Sequence, residues 1–246
     1  MDAPLRDRAV LLGDTLVCAD LHVGKGRSSN VQVPLGERDH LVERLAALCD
    51  RYDPAEVVFA GDLLHSFDRV PSLAEDTVTA LARTCRDAGA RAVVTPGNHD
   101  TMLDVVWDGP TEHEYVVDGV EWVPGAGSTN DERGDGGPVV VCHGHGEPGT
   151  DAALYVVGHD HPTITIEGQK WHCYLYGENA FRGADVLMLP AFTKLVKGVS
   201  INRRYGTAAL NSPLVTDLDR FRPIVWDESV EETRRFPPLG EFRELL

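Results

Sequence analysis

The apolar positions of this chain fall into two textures. In the first, short apolar runs alternate with stretches in which apolar residues recur every three to four positions. Ala9–Leu12 and Leu16–Ala19 flank Gly13-Asp14-Thr15, a hairpin signal whose second strand leads into Asp20. "ERDHLVERLAALCDRY" places Leu41, Leu45, Leu48 and Cys49 on one helical face, and Asp53-Pro54 stops that helix. "EVVFAG" reads as a buried strand, residues 73–88 as a second helix, and "RAVVT" after Gly89 as the next strand. Residues 37–95 therefore predict helix–strand–helix–strand, a layered α/β unit with parallel pairing.

From about residue 114 the texture turns to β. "EYVVDGVEWV", "PVVVCH", "LYVVGH", "TITIEGQKWHCYLY" and "VLMLP" predict short strands, the fourth a hairpin turning at Glu167–Lys170. The glycine-rich stretch 125–138 predicts a mobile loop. The charged, proline-broken "WDESVEETRRFPPLGEFRELL" predicts a peripheral tail, so the domain is expected over 1–225 with a tail over 226–246. Internal repeats are absent.

Composition narrows the class. No apolar run is long enough to span a bilayer, and the N-terminus is unlike a signal peptide, so a cytoplasmic protein with no membrane partner is expected. The five cysteines are scattered, odd in number and lack C-x-x-C, which argues against a disulfide framework or a structural zinc site. The net charge is −16, and only four of the 23 cations are lysines. Acidic, lysine-poor, aspartate-rich chains resemble cytosolic proteins of salt-accumulating halophiles. In molar salt the Debye length shrinks to about 3 Å, so the acidity says little about repelling nucleic acid at range.

The chemistry sits at the ends of the predicted strands. Strand 16–19 ends in Asp20 and His22, strand 57–60 in Asp62, and strand 91–95 in Asn98, His99 and Asp100. Strand 139–142 ends in His143 and His145, and strand 154–157 in His159 and His161. Side chains alternate along an extended chain, so His159 and His161 are expected to point the same way. In open α/β sheets the carboxyl ends of strands form the ligand crevice. Asp, His and Asn together suit manganese, iron, nickel or zinc. Each motif alone is common; all five at strand ends point to a metal site.

D-x-H, G-D, G-N-H-D, H and G-H-x-H over residues 20–161 resemble the calcineurin-like metallophosphoesterase superfamily. "ADLHVGKG", "GDLLHSF" and "LMLPAF" are similar to its SbcD-related, PdeM-like branch in an archaeal-type form. The resemblance implies a four-layer αββα sandwich of two mixed sheets flanked by helices, with two divalent metal ions, manganese foremost. Carried over, Asp20, His22 and His161 hold one ion, Asn98, His143 and His159 the other, and Asp62 bridges them. A second-shell acceptor is expected to fix the tautomer of His22. The resemblance further implies a metal-bridging hydroxide as nucleophile, with His99 protonating the leaving group; Asp100 either orients His99 or caps the following turn. Lys25, His65 and His145 are candidates for substrate contacts. Arg27 reads as a solvated charge and Trp171 as packing, and His40, His113 and His172 receive no role.

The leading expectation for function is a phosphodiesterase or nuclease. "KLVKGVSINRR", with Lys194, Lys197, Arg203 and Arg204, is the densest run of cations and would suit a phosphate backbone. The branch resemblance implies a helicase or DNA ligase as working partner and DNA repair as the setting. The alternatives are a small-molecule phosphoesterase and, since every motif position is intact, less readily a non-catalytic scaffold. A closed pocket under the 125–138 loop would favour small substrates; an open groove would favour strands.

Overall fold

The structure, a computed structural model, describes residues 4–25, 37–65, 70–122, 136–202 and 210–242. Arg27, Arg203, Arg204 and the expected mobile loop up to residue 135 lie outside the described residues.

The first sheet runs β1(Leu5–Arg6), β2(Ala9–Leu12), β3(Thr15–Cys18), β4(Glu56–Ala60) and β5(Arg91–Thr95), neighbours in that order. The β2–β3 hairpin is antiparallel, and β3, β4 and β5 are parallel. The crossovers are α1(Glu37–Tyr52) and α2(Ser72–Asp87). At the end of α2 the amides of Ala88, Gly89 and Ala90 cap the carbonyls of Thr84, Arg86 and Cys85. Gly89 takes the left-handed φ of 79° that such a cap needs.

The second sheet has seven strands: β6(Tyr115–Trp122), β7(Gly137–Cys142), β8(Leu154–Val157), β11(Tyr174–Phe181), β12(Ala184–Met188), β14(Arg222–Asp227) and β15(Glu232–Arg235), in the order β15-β14-β11-β12-β8-β7-β6. Its centre is parallel, β7–β8–β12, and its flanks are antiparallel. A third, small sheet comprises β9(Pro162–Ile166), β10(Gln169–His172) and β13(Val199–Ser200).

Period-two alternation builds the layers. On β3 and β4, Leu16, Cys18, Val57 and Phe59 face the helices, while Val17, Val58 and Ala60 face the second sheet. On β7 and β8, Val139, Val141, Leu154 and Val156 meet them in the inter-sheet core. Val140, Tyr155 and Val157 face outward beneath Ile164, Ile201, Leu214, Phe221 and Leu239. Strands buried on both faces read as continuous apolar runs, which is why the central ones were legible. The fold is thus a mixed two-sheet α/β sandwich with α1 and α2 outside the first sheet. Outside the second, the described residues supply the small sheet, the 210–221 segment and one helical turn, α3(Leu239–Phe242).

Two expectations are revised. The stretch read as one hairpin through Tyr176 is divided: β9 and β10 pair around Glu167–Gly168, but the chain leaves at Cys173, and β11 joins the seven-stranded sheet. Apolar periodicity marks strands, not sheet membership. The stretch from 226 onward is also more than a charged tail. It completes β14, adds β15 as an edge and buries Leu239 and Phe242. Edge strands carry charge because it discourages pairing with other chains, so an edge reads as a tail. Among the described residues no helix is long and apolar enough to cross a membrane.

Candidate metal centre

The five strand-end motifs converge at one edge of the sandwich. Asp20, His22, Asp62 and His161 offer ligand atoms all within 4.8 Å of one another. Nε2 of His22 and Nε2 of His161 are 3.0 Å apart, and Nε2 of His161 is 3.3 Å from Oδ1 of Asp20. A second group lies beside the first. Nε2 of His143 is 3.1 Å from Oδ1 of Asn98, 3.2 Å from Nδ1 of His159 and 3.5 Å from Oδ1 of Asp62. Asp62 belongs to both, because its other oxygen, Oδ2, is 3.8 Å from Nε2 of His22.

The backbone explains the convergence. Asp20, His22, Asp62, His159 and His161 have φ of 56°, 47°, 48°, 77° and 51°, all left-handed and unusual for residues with a Cβ. Such strain persists only where surrounding structure enforces it, and it concentrates at functional sites. His159 and His161 therefore converge through a left-handed turn, not through the strand alternation expected from sequence. Asp160 between them turns inward instead: it is buried, and its carboxylate accepts from the amides of Asn211 and Ser212 at 2.8 and 2.9 Å. The sequence gives no sign of that anchor, because Asn211 is 51 residues away.

Glycines make room for the donors. A Cβ on Gly61 would lie 2.0 Å from Nδ1 of His143, on Gly97 2.2 Å from Oδ1 of Asp62, and on Gly158 2.6 Å from Oδ2 of Asp20. Each glycine precedes a candidate ligand residue and leaves space for a donor from another motif.

Hydrogen bonds fix several protonation patterns. The Ala60 carbonyl lies 3.4 Å from Nδ1 of His143, and a carbonyl only accepts, so Nδ1 carries the proton and Nε2 presents its lone pair. Likewise the His65 carbonyl, 3.2 Å from Nδ1 of His99, leaves Nε2 of His99 facing Asp62 at 3.9 Å. The acceptor expected behind His22 is not found: its Nδ1 is buried without a hydrogen-bond partner among the described residues. Both oxygens of Asp100 are taken by backbone amides, Gly97 and Leu63 on Oδ2 and Leu64 on Oδ1. Asp100 thus ties the loop after β4 to the loop after β5. His65 stacks on His99 with centroids 5.7 Å apart, and its ring meets His22 edge-on at 5.4 Å. His145 lies exposed at the rim, 5.2 Å from the ring of His143. Lys25 is half-buried and close enough to lower the proton affinity of His65.

The electrostatics suit a cation. Burial pushes the Asp62 carboxyl up to about 8, and the charge of Asp20 adds to the rise. Burial also acts to raise Asp20, but His161 and the other imidazoles outweigh it and hold Asp20 below the usual carboxylate range. Burial lowers His22 to about 2 and His143 to about 4. Neutral imidazoles such as these bind metal directly, whereas His161, where burial lowers the proton affinity but Asp20 outweighs it and raises it, must give up its proton when an ion binds. The donor set, three hard oxygens and four imidazoles, fits a pair of divalent ions.

For the metal-free chain these shifts set the sign of a pH effect. Asp62 holds its proton more tightly folded than unfolded, where a carboxyl titrates near about 4. Its stabilisation is complete below about 4 and is lost as pH rises through about 8. His22 and His143 act in reverse: their contribution is present above the unfolded value of about 6.5 and is lost at lower pH. Chelated protein is therefore expected to lose stability between about pH 6.5 and 8, by no more than about 1.4 kcal/mol per pH unit for each proton. Asp62→Asn should flatten that decline. Thermal unfolding across the range tests it, and a flat profile in the parent chain would refute a protonated Asp62.

A mixed two-sheet sandwich whose strand ends gather these donors around a shared carboxylate defines a metal-dependent phosphoesterase. The family model for calcineurin-like phosphoesterase matches residues 14–189, and the chain belongs to that family. The crystal structure of Pseudomonas putida nuclease MPE is similar in fold, with a TM-score of 0.53 and 20% identity over 89% of this chain and 88% of that one. Among curated proteins none matches significantly.

Proposed function

We propose that the chain is a binuclear-metal-dependent phosphodiesterase acting on nucleic acid. The observation that carries this reading is the Asp62 carboxylate, which turns one oxygen to each of two donor groups. In this reading Asp20, His22 and His161 hold the first ion, Asn98, His143 and His159 the second, and Asp62 both. Manganese suits the mixed oxygen and nitrogen set, as do iron, nickel and zinc. Two such ions supply Lewis acidity toward the phosphoryl oxygens and lower the pKa of water.

The chain's own residues orient and protonate. In the imidazolium form His99 keeps its Nδ1 proton on the His65 carbonyl and gives the second proton, on Nε2, to the leaving oxygen, which returns the ring to its neutral form. Lys25, His65 and His145 surround the phosphate, and Asp100 holds the two loops together. The fold likeness to a nuclease and the cation-rich run that holds Lys194, Lys197, Arg203 and Arg204 favour a strand as substrate. A cytoplasmic setting accords with five cysteines that are all free and buried. A helicase or DNA ligase partner and a role in DNA repair rest on the branch resemblance alone.

The test compares bis(p-nitrophenyl) phosphate with p-nitrophenyl phosphate in concentrated KCl, with manganese returned to chelated protein. Diester turnover supports the proposal and leads to DNA and RNA as substrates. Turnover of the monoester alone would replace it with a small-molecule phosphoesterase. His99→Gln should keep two ions per chain yet lower kcat on DNA by about a hundredfold or more. On the p-nitrophenyl diester, whose leaving group needs no proton, the loss should be much smaller. Equal losses on both substrates would remove His99 from the acid role.

A further inference from the structure

A cavity of about 250 Å³ lies beyond the metal centre, between the turn before β2, strand β10 and the end of β14. Arg8, Lys170, Trp171, His172, Trp226 and Glu228 are among its lining residues. It holds none of the candidate metal ligands but shares walls with them. His172 pairs in register with Thr163, two residues past His161. Pro190 lines the cavity at the head of the segment whose Phe192 amide donates to the carbonyl of Ala19, next to Asp20.

Two cations, Arg8 and Lys170, and two carboxylates, Asp227 and Glu228, line this cavity, but among the described residues they do not pair with one another. Nη1 of Arg8 donates to the carbonyls of Ala191 and Thr193 at 3.1 and 2.6 Å. Among the described residues no carboxylate lies within 4 Å of its guanidinium. Desolvation, reinforced by the charge of Arg44, lowers the proton affinity of Arg8 to about 10. Glu228 on the same wall is already committed to Arg44 at 3.2 Å and Lys194 at 3.5 Å. Asp227 is committed to Arg234 at 2.7 Å. Nδ1 of His172 is buried and has no hydrogen-bond partner among the described residues. Lys170 donates to the carbonyl of Lys197, which leaves two of its three N–H donors. Glu228 and Asp7 offset the desolvation of Arg8 only in part, and an anion in the cavity reduces the cost that remains. The walls also present two indoles, those of Trp171 and Trp226, and one face of Trp226 is already covered by Arg6 at 4.4 Å.

We propose that this cavity binds a nucleotide, its phosphate accepting from Arg8, Lys170 and His172 and its base lying against Trp171. Guanidinium and ammonium donors recognise phosphate, and base stacking on an aromatic ring tolerates any base. The site is separate from the proposed chemistry and does not depend on it. The nucleotide is either free or part of a strand.

Calorimetric titration of the full chain separates these cases, using adenosine 5′-monophosphate, a five-residue oligothymidylate, ribose 5-phosphate and inorganic phosphate. Each titration is run with manganese and again after chelation. Binding of the monophosphate or the oligonucleotide should survive chelation, and Lys170→Ala and Trp171→Ala should each weaken it about tenfold. Arg8→Gln should weaken it further, but the proposal stands on Lys170→Ala, at an exposed position, and on Trp171→Ala, at a half-buried one, each with its fold checked by circular dichroism. If the oligonucleotide alone behaves this way, the ligand is a strand; if the monophosphate does, it is a free nucleotide. Binding that vanishes with the metal belongs to the centre and overturns the proposal. So does binding indifferent to both substitutions, or inorganic phosphate and ribose 5-phosphate binding as tightly as the nucleotide.

Discussion

Asp62→Ala is expected to empty both metal positions at once and to lower diester hydrolysis at least about a thousandfold, since metal-ion stabilisation of the reacting phosphate is worth several kcal/mol. The reason is geometric. Oδ1 of Asp62 lies 3.5 Å from Nε2 of His143 and Oδ2 lies 3.8 Å from Nε2 of His22, so one side chain serves both donor groups. Asn98, by contrast, meets only the His143 side, at 3.1 Å. Asn98→Ala should therefore cost one ion and spare the other. Metal content by elemental analysis after equilibration with limiting manganese reads this directly. One ion retained by Asp62→Ala at parent affinity, or activity within tenfold of the parent, would break the bridging assignment. The same variant should not unfold the chain. Asp62 is a buried carboxyl pushed up to about 8, so removing it relieves desolvation in the metal-free protein.

Gly61→Ala should be nearly as damaging with no change in charge. The substitution places a methyl 2.0 Å from Nδ1 and 2.6 Å from Cβ of His143, at a φ of 81° that alanine adopts at a cost of about 1 kcal/mol. His143 must move, and with it the proton it donates to Ala60 and the lone pair it turns toward Asn98 and His159. Loss of the second ion and about a hundredfold or greater loss of turnover are expected, together with reduced stability. Gly89→Ala is the matched control: its φ is 79°, but nothing lies within 4 Å of the added methyl. It should lose only the backbone term, about 1 kcal/mol, and keep full activity. Equal behaviour of the two variants would mean that strain, not the approach of His143, explains the glycine.

These two residues mark the boundary of what could be read in advance. The parallel core β3–β4–β5 with α1 and α2 was legible because local periodicity and burial agree there. The donor residues were legible because D-x-H, G-D, G-N-H-D and G-H-x-H place rare side chains just past apolar runs. Their roles were not. Asp100 reads as a partner of His99 by adjacency, yet its carboxylate is engaged by Gly97, Leu63 and Leu64. Asp160, the unassigned position of G-H-x-H, secures Asn211 and Ser212.

By itself the sequence determined the strand and helix pattern of the first half, the identity of the metal-type donors and their placement at strand ends, because all of these follow from local order and side-chain chemistry. Only the tertiary structure decided which sheet each late strand joins, that the last stretch closes an edge, and that left-handed backbone at five donor positions turns them toward one point. It also decided that Arg8 faces a cavity with no carboxylate within 4 Å of its guanidinium among the described residues. Those outcomes depend on contacts between residues far apart in the chain, and no local pattern of apolar and polar positions encodes which distant residues meet.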